Sequence, residues 1–129
     1  MIPGGNFGMN NPENDYLKIK QGGQRFVFDI DGVIARQAKD NNYTLAEPNR
    51  EMIDIINKLY DMGNHIVLFT ARGYVTGIDW SSVTKEQLSK WGLKYHELHF
   101  GKPNADYYVD DRMLPVDFLY KYFGEHADQ

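Results

Sequence analysis

The chain has no cysteine, which excludes disulfides, thiolate metal sites and cysteine nucleophiles. It has no run approaching the roughly 20 apolar residues that a membrane-spanning helix needs. Basic residues do not dominate. Lys and Arg number 14 against 18 Asp and Glu, a formal charge of −4, with no basic stripe of the kind that grips nucleic acid. Met1 to Gly5 carry neither a basic stretch nor an apolar run, so no secretory leader is expected and a cytoplasmic location is. What is present is an ordinary soluble composition over 129 residues, enough for one domain with its own core.

Residues 1–23 are rich in Gly and Asn and read as an arm, with a short strand at Tyr16 to Ile19; the domain proper is expected over 24–129. It opens on Arg25-Phe26-Val27-Phe28, an apolar β-type run that stops at Asp29-Ile30-Asp31-Gly32. Such a run is a buried strand delivering polar residues at its C-terminal end. The polar stretch Arg36 to Tyr43 suggests an excursion, a small hairpin flap. Pro48 starts a helix in which Met52, Ile55, Ile56 and Leu59 recur at helical spacing, closed by Gly63. His65 to Thr70 is a second strand. Thr84 to Gln87 has the form of a capping box, and its helix runs to Gly92. Third and fourth strands are expected at Tyr95 to Phe100 and Tyr107 to Val109, and a last helix at Val116 to Phe123. Alternating strands and helices predict an α/β protein, a three-layer Rossmann-like fold whose central parallel sheet is covered on both faces.

In an open parallel sheet, ligands bind at the C-terminal strand ends. Asp29, Asp31, Thr70, Lys102, Asp110 and Asp111 all fall there or just beside a strand. Carboxylates gathered on one rim repel unless a cation sits among them, and magnesium prefers hard oxygen ligands while bridging carboxylates to phosphate. Asp29 and Asp110 are candidate ligands, with Asp111 a further ligand or a partner of one, and a backbone carbonyl near Asp31 completing the set. A metal-held carboxylate at Asp29 can attack phosphorus and form an acyl-phosphate. Asp31, two residues on, can protonate the leaving oxygen and later take a proton from water. Thr70 offers a hydroxyl and Lys102 a point charge to the phosphoryl oxygens. Arg72 is a candidate substrate contact. His96 and His99 lack a third ligand at zinc spacing.

Asp29-Ile30-Asp31-Gly32-Val33, Leu68-Phe69-Thr70-Ala71-Arg72, Gly101-Lys102-Pro103 and Val109-Asp110-Asp111-Arg112 resemble, in order and form, the four motifs of the haloacid dehalogenase superfamily. The resemblance spans residues 25 to 112. It implies a nucleophile at Asp29, an acid/base at Asp31 and phosphate binding through the Thr70-Ala71-Arg72 motif and Lys102. It also implies magnesium held by Asp29, Asp31, Asp110 and Asp111. An aspartate at the second position is similar to the phosphatase branch. The Thr-Ala-Arg, Gly-Lys-Pro and Asp-Asp-Arg contexts resemble small members associated with bacterial capsular polysaccharide biosynthesis. The gaps 32–69 and 71–101 leave no room for a cap domain. Capless members tend to form homo-oligomers or to accept bulky substrates, and a phosphate on a saccharide or a nucleotide-linked sugar would fit either case. The expected partner is a small-molecule phosphate ester or phosphorylated saccharide, and neither nucleic acid nor membrane is expected.

Three rival readings compete. A phosphorelay receiver would place the acidic pair before the phospho-acceptor, the reverse of the order here. An inactive binding module would be expected to lack one of the essential residues, and none is missing. A phosphatase for nucleotides or nucleic-acid ends would, in the second case, carry the basic surface that this chain lacks.

Overall fold

The computed structural model describes residues 11–36 and 39–127. Its centre is a parallel sheet of three strands, β1 (Arg25–Asp29), β2 (His65–Thr70) and β3 (Glu97–Phe100), in the order β1-β2-β3. Arg25 pairs with His65 and Asp29 with Phe69; Val67 pairs with Glu97 and Thr70 with Phe100. This is a mixed α/β protein of Rossmann-like build. Helices α2 (Arg50–Asp61) and α3 (Ser81–Lys90) make the two crossovers. Only short 3-10 turns and loops accompany them, so no inserted cap is present among the described residues.

Strand alternation sorts the side chains. Phe28, Ile66 and Leu68 point into the core, where they meet Met52, Ile53, Ile56 and Leu59 of α2 and Leu88 near the end of α3. Each such fully buried aliphatic side chain contributes about 1.5–3 kcal/mol by leaving water. Asn49 caps α2, its Oδ1 accepting from the Met52 N–H at 3.2 Å, so the helix starts just past Pro48.

Helical cover was expected on both faces; among the described residues it lies on one. Right-handed crossovers that advance steadily from β1 to β2 to β3 carry α2 and α3 to the same side. The opposite face carries Arg25, Val27, His65, Glu97 and His99; Val27 there is 60% exposed, while Val67 on the central strand is buried beneath its neighbours. Glu97 crosses the strands there. It accepts from His99 Nε2 at 2.9 Å, pairs with Arg25 at 3.0 Å and meets His65.

Four local expectations are corrected. Tyr16 to Ile19 is not strand but part of α1 (Pro12–Gln21), begun by an Asn11 cap and a proline in the first turn. Its Ile19 is buried, and the buried Asn64 ties it down, donating to the Ile19 and Leu59 carbonyls at 3.0 Å and accepting from the Gln24 N–H at 3.1 Å. Thr84 caps nothing, because α3 already starts at Ser81 and Thr84 lies a turn inside it, fully buried. The flap reads as 3-10 turns at Lys39–Asn41 and Tyr43–Leu45, while Gln37 and Ala38 lie outside the described residues. Tyr107 to Val109 is not a strand: Tyr107 is 87% and Val109 98% exposed. Its β-type side chains found no ladder to join, and tertiary pairing decides short strands over propensity. The last helix, α4 (Val116–Phe123), is as expected and packs on α2 through Phe118, Leu119 and Phe123.

Candidate active site

At the C-terminal ends of β1 and β2 opens a cleft of about 380 Å³, lined by Asp29, Asp31, Ala71 and Arg72 with the rings of Tyr43, Trp80 and Tyr108. Asp29 is the last residue of β1. Its Oδ1 accepts from the Ile30 N–H at 2.8 Å and its Oδ2 from Lys102 Nζ at 3.0 Å. Lys102 is itself fixed twice: its N–H donates to the Thr70 carbonyl at 3.1 Å, and its ammonium lies 4.1 Å from the centre of the Tyr108 ring. A lysine pointed at a strand-end carboxylate is a ready phosphoryl-oxygen partner, and with Asp29 about one-third exposed the pair is open to a ligand.

Asp31 is held from the other side. Arg72 forks onto it, Nε to Oδ2 and Nη2 to Oδ1, both at 2.9 Å. The same guanidinium donates through Nη1 to Thr84 Oγ1 at 3.1 Å and to Gln87 Oε1 at 2.7 Å. Its flat face lies 4.7 Å from the Tyr43 ring, which in turn meets Trp80 edge-on at 4.9 Å. Burial first, then the Asp31 charge, push the Tyr43 phenol above its ordinary value, with Arg72 pulling the other way. The loop after Thr70 turns sharply at Gly73, whose positive φ and contact with the Ile78 carbonyl leave no room for a Cβ.

Of the residues singled out in the sequence, Asp29, Asp31, Ala71 and Arg72 line one cleft, and Lys102 reaches Asp29 from beside it. Thr70 does not line it. Asp29 pairs in register with Phe69, so Thr70 projects to the helix-covered face; it is wholly buried, and its Oγ1 accepts from the Arg72 N–H at 3.1 Å. Arg72 lines the cleft, but its side chain is 0% exposed, turned inward rather than towards a ligand. Asp110 and Asp111 are both exposed and outside the cleft; Asp110 only closes a local turn, accepting from the Arg112 N–H at 2.8 Å. Sequence reasoning missed the supports Thr84 and Gln87. A signal existed: three apart on a helix, they share a face, with the buried Leu88 beside Gln87 in sequence.

The donor chemistry of the Asp29 carboxylate with the Asp31 backbone carbonyl suits magnesium. That ion takes one or two protein carboxylates and fills its octahedron with water and substrate oxygens. Among the described residues, no three His, Asp or Glu side chains gather closely enough to hold a metal by themselves. No helix among them is long and apolar enough to cross a membrane.

No family model matches the chain, nor does any curated protein. A crystal structure of a target protein from Vibrio cholerae is similar, with a TM-score of 0.67 and 28% identity over 74% of this chain and 87% of that one.

Proposed function

We propose that this chain is a magnesium-dependent phosphomonoester hydrolase of the haloacid dehalogenase type, working in the cytoplasm through an aspartyl-phosphate. The observation that carries the reading is the Asp29–Lys102 pair at the C-terminal end of β1, with Asp31 on the same cleft. In the first step an Asp29 carboxylate oxygen attacks phosphorus, the bond to the ester oxygen breaks, and that oxygen takes a proton from Asp31. In the second, water attacks the acyl-phosphate, Asp31 accepts the water proton, and phosphate leaves with Asp29 restored. Lys102 draws the phosphoryl oxygens to the nucleophile and offsets their charge as it builds. Magnesium, held by the Asp29 carboxylate and the Asp31 backbone carbonyl with Asp110 and Asp111 as candidate further ligands, would supply charge neutralisation at the phosphoryl group.

A phosphorylated sugar or saccharide-linked phosphate is the proposed substrate, and capsular polysaccharide biosynthesis the proposed setting. The setting rests on the motif resemblance. The sugar is supported by the cleft's rings, since Tyr43, Trp80 and Tyr108 offer apolar faces and polar tips. Exposed Tyr74, Val75 and Ile78 on the neighbouring loop are where a bulky saccharide or a second copy of the chain would complete the pocket. The test is phosphate release from a panel of phosphorylated sugars and small esters. Turnover should need magnesium, stop on chelation, and fall at least about 10³-fold in Asp29→Asn while the variant stays folded. Unchanged turnover in that variant would end the nucleophile assignment.

A further inference from the structure

We infer that Arg72 is a positioning residue for Asp31 and makes no contact with the substrate. The inference rests on reading Asp31 as the proton-transfer group.

An arginine on the rim of a phosphate site is ordinarily taken as an anion clamp. Here the fork is already committed. Four hydrogen bonds leave the guanidinium, two to Asp31, one to Thr84 and one to Gln87. Tyr43 covers one face, and no part of the side chain reaches solvent. An incoming phosphate would have to break a buried fork to reach it. The Arg72 backbone is pinned as well, its N–H donating to Thr70 Oγ1 at the end of β2.

The supports come from separate elements. Thr84 and Gln87 lie on α3, and Gln87 also donates through Nε2 to the Tyr43 carbonyl in the 3-10 turn between β1 and α2. The guanidinium therefore sits in a frame built by β2, α3 and that turn, and it presents two parallel N–H groups to both Asp31 oxygens. A bidentate fork fixes the plane of a carboxyl group as well as its place. Each Asp31 oxygen keeps a second lone pair, and Asp31 is 14% exposed, towards the cleft. The proton that moves to the leaving oxygen is thus aimed by a residue that the reactants do not meet.

This role has a signature that neither phosphate binding nor plain packing shares. Protonation of the leaving oxygen matters for an alkyl ester and little for one that leaves readily as a stable phenolate. The experiment compares kcat/KM, which ends at the first irreversible step, for a sugar phosphate and for 4-nitrophenyl phosphate, using the full chain with magnesium. Arg72→Lys keeps the charge and loses the fork. It should lower kcat/KM on the sugar phosphate by about 10²-fold, within the range that positioned proton transfer supplies, and on 4-nitrophenyl phosphate by no more than about threefold. In an Asp31→Asn background, the same change should add no further selectivity between the esters. Gln87→Met, which removes one support and keeps Arg72, should give the same pattern at about tenfold and serves if Arg72→Lys does not fold. Equal losses on both esters, or a rise in KM with kcat unchanged, overturn the inference while leaving the hydrolase reading intact. A wild-type chain that hydrolyses neither ester overturns both.

Discussion

Two stretches of the chain carry paired acids expected on one rim of the sheet, and they finish in different states. Asp29 and Asp31 leave a strand laddered along its length to β2, and each meets an oriented cation, Lys102 at 3.0 Å and Arg72 at 2.9 Å. Asp110 and Asp111 follow Tyr107 to Val109, a stretch with the same β-type side chains and no ladder, and both stay exposed. The stretch between Lys102 and Asp110 is tied down mainly through Tyr108, whose hydroxyl donates to the Pro103 carbonyl at 2.7 Å and whose ring lies under Lys102. A carboxylate is pre-set for chemistry where its backbone is fixed on a strand and its oxygens already have partners. Where neither holds, the acid stays on the surface.

That contrast breaks most clearly in a pair of substitutions. Lys102→Met removes the charge facing the nucleophile and should lower kcat/KM by about 10²–10³-fold, the scale of a lost oxyanion-type donor. Asp110→Asn should act more mildly and differently, raising the magnesium needed for half-maximal turnover by about tenfold, as loss of one ligand support does, with saturated turnover nearly kept. A drop as deep as that of Lys102→Met would put Asp110 in the pre-set half of the site. No change in magnesium demand would leave it on the surface, where the structure has it.

The smallest expected effect lies on the outward face of the sheet, away from the cleft. His99 and His65, and then Arg25, hold the Glu97 carboxyl down at about 2, against an ordinary 4.5. A carboxylate held low in the folded chain stabilises it above the unfolded value, and that share is lost as pH falls from about 4.5 through about 2. Thermal melts across this window should therefore fall more steeply for wild type than for Glu97→Gln. Parallel curves would mean that the ion pairs of Glu97 contribute nothing to folding. Because the cluster touches no cleft residue, turnover at neutral pH should not distinguish the two proteins.

What could be read from residues alone follows the same division. Arg25 to Asp29 and His65 to Thr70 are unbroken apolar runs ending in polar groups, and parallel strands with a buried face announce themselves that way. Met52, Ile55, Ile56 and Leu59 likewise declare the buried stripe of α2. Helix α1 escaped because its sequence is polar and Ile19 is its only buried residue; only the Asn11-Pro12 start marked it. The Tyr107 to Val109 run misled because side chains specify a preference for strand without specifying a neighbour. The single-sided sheet was legible in principle, since two crossovers advancing one way must share a face, but strand order had first to be known. That Asp29, Asp31 and Lys102 come together was legible from their positions at strand ends. The inward turn of Arg72 was not, because a long side chain at a rim can go either way, and its direction is set by Thr84 and Gln87 on a distant helix.

The claim at the centre is that the Asp29 carboxylate takes the phosphoryl group. Turnover quenched with borohydride would reduce an acyl-phosphate to the alcohol, and peptide mass analysis would find the modified residue. The account predicts the change at Asp29, dependent on substrate and magnesium. Modification at Asp31 instead, or steady phosphate release with every aspartate left unreduced, would contradict it.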